Sequence, residues 1–164
     1  MSTFRALALT AMVLTGTVLT TGHALADATV KVSLWDNASN PDLSKNLGMG
    51  MGSKMDMSKA PMGIKLDSAE VAAGKVTFDV TNDSKETIHE MVVAPLANAD
   101  ATLPFVEKDN EVDEEGAGHL GEVSELDPGK SGSLTVEMKP GTYVLYCNVA
   151  GHYAAGMWTV ITVK

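Results

Sequence analysis

Three side chains near the end of the sequence stand in the spacing Cys-x4-His-x4-Met: Cys147, His152 and Met157. A thiol, an imidazole and a thioether are soft or borderline donors. They make up most of the inventory of a mononuclear copper site, where a thiolate and two imidazoles lie in a trigonal plane with a weak axial Met. This stretch supplies one imidazole, so the second must come from elsewhere. His89, in Ile88-His89-Glu90-Met91, is well placed to provide it. Such a set suits both Cu(I) and Cu(II), so little geometry has to change when an electron moves. A Cys147–His152 nucleophile pair is the competing chemistry, but it leaves Met157 unexplained and wants an orienting Asn or Asp.

These donors need strands to hold them. Tyr143 to Tyr146 reads as a strand ending at Cys147, and Trp158 to Val163 reads as the next strand, so one loop carries Cys147, His152 and Met157. Gly156 lets Met157 approach the axial position, and His89 lies at or near the start of a strand running to Pro95. Further strands are expected over 28–35, 63–67, 75–81 and 131–138, with turns at Asn82-Asp83-Ser84-Lys85, Asp127-Pro128-Gly129-Lys130 and Lys139-Pro140-Gly141. Residues 37–63 and the acidic stretch 96–124 lack strand periodicity and read as loops, with room for a short helix inside 98–118. Short strands between turn signals predict an all-β Greek-key sandwich or barrel of about 7–8 strands.

The segment Asn82…His89, the run Lys139-Pro140-Gly141-Thr142-Tyr143-Val144-Leu145-Tyr146-Cys147 and the loop Gly151-His152…Gly156-Met157 resemble the cupredoxins, the type 1 blue-copper family of plastocyanin, azurin and rusticyanin. The likeness is clearest from about Ile64 to Lys164, and the Cys-to-His gap looks more like rusticyanin than plastocyanin. The resemblance implies one bound copper, with His89, Cys147, His152 and Met157 as ligands, and outer-sphere electron transfer. It also implies that the exposed edge of His152 is the electron port. Whether Asn148 hydrogen-bonds the sulfur or the strand of His89, and whether Tyr153 and Trp158 shield the metal or only pack, stays open.

The chain begins with Met1-Ser2-Thr3-Phe4-Arg5, then an apolar run from Ala6 to about Leu19 and the small-x-small ending Ala24-Leu25-Ala26. That is the pattern of a secretory signal peptide over 1–26, cleaved after Ala26, which would leave one domain over 27–164 and no stable membrane anchor. Thr, Gly and His interrupt the run, against the ~20 clean apolar residues a bilayer span wants. The expected location is the periplasm and the expected state a monomer. Cys147 is the only cysteine. A lone thiol in an exported chain favours metal ligation over a merely buried core thiol, since an oxidising compartment attacks unprotected thiols. The net charge of −9 argues against nucleic acid, whose phosphates call for Lys and Arg.

Five of the ten methionines, Met49, Met51, Met55, Met57 and Met62, fall in a loop at about 48–62. Clustered thioethers suit Cu(I), so the segment is a candidate weak Cu(I) site; gap-filling against apolar surface is the plainer reading. Two functions follow. One is an electron carrier between redox partners such as a cytochrome, drawn by an acidic surface. The other is a copper-tolerance protein that buffers copper or passes it between donor and acceptor proteins, with the Met run as the transfer region. A copper enzyme is not expected, because only three histidines remain after residue 26 and such enzymes need further ligands. His119, among acids, reads as solvated.

Overall fold

Apolar and polar residues alternate along Ala28–Asp36, and this forms the first strand, β1, with Val30, Val32 and Leu34 buried. The computed structural model describes residues 27–37, 42–44, 46–51, 56–98 and 100–164. The expected signal peptide over 1–26 lies outside them, as does Met55. The chain continues through β2 (Met62–Leu66), β3 (Glu70–Val71), β4 (Gly74–Asn82), β5 (His89–Leu96), β6 (Phe105–Val106), β7 (Glu111–Val112), helix α1 (Glu114–Ala117), β8 (Gly121–Leu126), β9 (Ser131–Met138), β10 (Gly141–Tyr146) and β11 (Trp158–Val163). One sheet has the order β2-β1-β4-β9, the other β3-β11-β10-β5-β8, and β6 and β7 form a separate hairpin. β3, β6 and β7 have two residues each; the two sheets, nine strands with the short β3 at an edge, form the β-sandwich expected from the sequence.

The core between the sheets contains Val30, Leu34, Met62, Phe78, Met91, Leu145 and Ile161, and Cys147 and Met157 belong to the same cluster. Each such side chain contributes about 1.5–3 kcal/mol on burial. An exposed ion pair such as Lys164–Glu70, at 2.6 Å, contributes roughly 0–1 kcal/mol, so packing holds the sandwich together.

A second apolar cluster covers the outer face of the larger sheet. It contains Met49, Val92, Ala94, Leu96, Leu103, Val112, Val144, Tyr146 and Tyr153. The central strands β5 and β10 are therefore buried on both faces. This explains why Met91-Val92-Val93-Ala94 and Tyr143-Val144-Leu145-Tyr146 are continuous apolar runs rather than alternating ones.

In the stretch 96–124 the single turn α1 falls inside 98–118, where a short helix had room, but the β6–β7 hairpin and most of β8 depart from the expected loop. Leu103 and Val112, with Phe105 and Ala117 at the margin, close the outer cluster. β8 escapes a reading by composition because two acids and a Ser in six residues mask its pairing with β5. Asp113 caps α1 by accepting from Gly116 N, and Gly118 ends it at φ 67°.

Candidate metal centre

Two neighbouring strands and one loop build the site. β10 pairs with β5 in antiparallel register, Leu145 opposite Val93 and Tyr146 opposite Val92. Side chains alternate along a strand, so Tyr143 and Leu145 point into the inner core with Cys147 after them, while Val144 and Tyr146 point outward. Met91 and Val93 share the inward parity of His89 on β5, despite an irregularity in the β5–β8 register between His89 and Met91. The first residue of β5 and the residue just past the end of β10 thus carry donors.

The loop 147–157 folds back on itself through main-chain bonds. His152 N donates to Val149 O at 2.9 Å, Met157 N to His152 O at 3.0 Å, and Cys147 N to Met157 O at 3.0 Å. Gly151 and Gly156 have φ of 85° and 102°, values open to glycine and strained for other residues. Both are also crowded: a Cβ on Gly156 would lie 3.1 Å from Ala60 Cβ, and one on Gly151 3.3 Å from Leu43 Cδ1.

The side chains meet in one buried spot. His89 Nδ1 is 3.2 Å from His152 Nδ1, which is 3.3 Å from Cys147 Sγ, and one donor atom from each of the three residues lies within 4.8 Å of the others. Donors sharing an ion at roughly 2.0–2.3 Å lie about 3–4 Å apart, so the three fit a single metal ion. Met157 is fully buried in the apolar cluster of Cys147, its main chain bonded to both Cys147 and His152.

The electrostatics favour the same fit. Burial holds His89 below its ordinary value, although the Asp36 carboxylate pulls the other way. Burial, with help from His89, brings His152 down to about 4. Both imidazoles are neutral at pH 7 and keep a lone pair for a metal. Burial pushes the Cys147 thiol up to about 12, against the N–H groups of Glu90 and Val149 that favour its anion. The thiolate this site needs is therefore formed when a metal replaces the proton.

Around the donors stands a shell that composition could not reveal. Asp36 Oδ2 lies 3.1 Å from His89 Nε2, and Glu90 N donates to Cys147 Sγ at 3.4 Å. Asn148 N donates to Glu90 Oε1 at 2.9 Å, and the Asn148 amide exchanges bonds with the Val112 main chain at 2.7 and 3.0 Å and donates to Glu114 Oε1 at 2.9 Å. Burial first, then the charges of Glu122 and Glu114, pushes Glu90 up to about 7. Asp36 was missed because its partner lies 53 residues away, and only the register of β1 brings the two together. The terminal acid of a buried strand was the one available signal. His119 is exposed, as expected, and its ring pairs with Glu114 at 2.9 Å.

His152, whose edge is the expected electron port, is 4% exposed. Leu47 N donates to Ala154 O at 2.7 Å, Trp158 Nε1 donates to Leu47 O at 2.8 Å, and Met49 N donates to Tyr153 Oη at 3.1 Å. Leu47 and Met49 thus lie against the ligand loop. Of the described methionines in 48–62, Met49 enters the outer cluster, Met62 the inner core, Met51 packs at the margin of the outer cluster and Met57 is exposed.

The family model of copper binding proteins of the plastocyanin/azurin type matches residues 51–164, more than half of the chain. A comparison with curated protein sequences returns no match. Among solved structures, auracyanin B is 21% identical over 87% of this chain and 92% of its own, with a TM-score of 0.54. A rusticyanin variant is 16% identical over 87% of this chain and 80% of its own, with a TM-score of 0.55. Auracyanin from the photosynthetic bacterium Roseiflexus castenholzii is 20% identical, covering 87% of this chain and 99% of that one at a TM-score of 0.49. At these identities the likeness to auracyanin B and to the rusticyanin variant shows the fold alone. The matched family model goes further: this chain belongs to the plastocyanin/azurin family of copper-binding proteins.

Proposed function

We propose that the protein is an exported, single-domain electron carrier that holds one copper through His89, Cys147, His152 and Met157. The observation that carries this is the convergence of two neutral imidazoles and one thiol in a buried pocket of an otherwise apolar core. Bound copper supplies a one-electron couple between Cu(I) and Cu(II). The chain's own residues hold the donors in place, exclude water from them and keep His89 and His152 unprotonated. A packed surround resists displacement of the donors, which favours a carrier over a site that must open for each exchange. The acidic surface supports a basic redox partner, and the leader-like sequence over 1–26 supports a periplasmic location.

Copper buffering or delivery is the second reading. It rests on the Met run, and the burial of Met49 and Met62 in separate clusters weighs against a four- or five-thioether site there. Titration of the purified protein with Cu(II), followed by visible absorption, tests both. One equivalent with an intense thiolate-to-copper band is the expected result. No such band would remove the carrier reading, and Cu(I) equivalents beyond one, measured against a competing chelator, would favour the second.

A further inference from the structure

The inner end of β1 carries a carboxylate that apolar packing does not account for. Asp36 is the last residue of β1, and its side chain is 8% exposed. Oδ2 lies 3.1 Å from Nε2 of His89, whose ring is fully buried, and Ser84 and Thr87 also hydrogen-bond this carboxylate through their side chains. The surroundings are built to hold it. β1 runs parallel to β4 with Leu34 opposite Asn82, and Asn82 Nδ2 donates to Thr87 O and Leu126 O, both at 2.8 Å. Asn82 Oδ1 accepts from Ser84 N at 3.0 Å. The turn that delivers Ser84, Thr87 and His89 to Asp36 is therefore fixed by the same strand pair that places Asp36.

A neutral imidazole has one N–H. Where Nε2 gives it to Asp36, Nδ1 is left as a bare acceptor, and Nδ1 is the atom that faces His152 and Cys147. A carboxylate behind a ligating imidazole also makes that ligand more basic and sets its ring orientation. Its negative charge in a low-dielectric interior favours the more highly charged metal ion.

Resting on the copper reading above, we propose that Asp36 is a positioning residue that fixes His89 as the Nε2–H tautomer, directs Nδ1 at the metal, and biases the centre toward Cu(II). The test pairs two measurements on the purified protein. Imidazole ¹⁵N NMR of the metal-free protein should show His89 protonated at Nε2, with that proton exchanging slowly. An Nδ1–H tautomer in the unmutated protein would overturn the proposal without any variant.

The second measurement is the reduction potential of copper-loaded protein before and after Asp36→Asn, which keeps shape and removes charge. Affinity for Cu(II) relative to Cu(I) should fall about tenfold, which for one electron is a rise of ~59 mV. An unchanged potential in a variant that keeps its thiolate band would overturn the proposal. Absence of the band from the unmutated protein would instead overturn the copper reading, while the NMR result would still report on the Asp36–His89 pair.

Discussion

The two halves of the metal site are built on different principles. Cys147, His152 and Met157 lie within eleven residues, and main-chain bonds inside their own loop fix their relative positions. His89 reaches the site from another strand. It is held by tertiary partners: Asp36 behind the ring, and the turn braced by Asn82 before it. The local half tolerates changes elsewhere as long as the loop closes. The distant half depends on the registers of β1, β4, β5 and β10 at once.

This contrast can be broken most sharply at the loop. Cys147→Ala should abolish the thiolate-to-copper absorption while leaving the fold intact by circular dichroism. A variant that kept the band would sink the ligand assignment.

The distant half should fail differently. Asn82→Ala removes three hydrogen bonds and leaves two carbonyls without their donor, a loss of about 3 kcal/mol at roughly 1 kcal/mol per bond. Urea unfolding measures it. A loss under about 1 kcal/mol would mean that the turn is held by something else.

Two tyrosines refine the comparison, since each adjoins a ligand and points into the outer cluster. Tyr153, after His152, accepts a bond from Met49 N, and Tyr153→Phe should cost about 1 kcal/mol in the same assay. Tyr146, before Cys147, buries a hydroxyl that has no hydrogen-bond partner among the described residues. Tyr146→Phe should therefore leave stability unchanged or slightly higher, because an unpaired buried hydroxyl costs free energy that Phe avoids. A clear loss there would reveal a partner for that hydroxyl.

The same division governs what could be read in advance. Cys-x4-His-x4-Met carries its geometry in its spacing, and the strands on either side of it were visible as apolar runs ended by turns. The sandwich followed from turn signals at 82–85, 127–130 and 139–141. What composition hid was pairing at a distance. Asp36 is one acid among many until β1 is placed beside β4. β8 looks like an acidic loop until it is paired with β5. Met49 and Met62 stand in one run of the sequence but pack in two separate apolar clusters.

The stretch 50–59 has an evolutionary side. Leu47 and Met49 are buried before it, and Ala60 and Met62 are buried after it. Doubling the length of such a loop costs only about 0.6 kcal/mol, because closure entropy grows with the logarithm of length. Lineages can therefore lengthen, shorten or restock this stretch with methionines at little thermodynamic risk. The residues that anchor its ends have no such freedom.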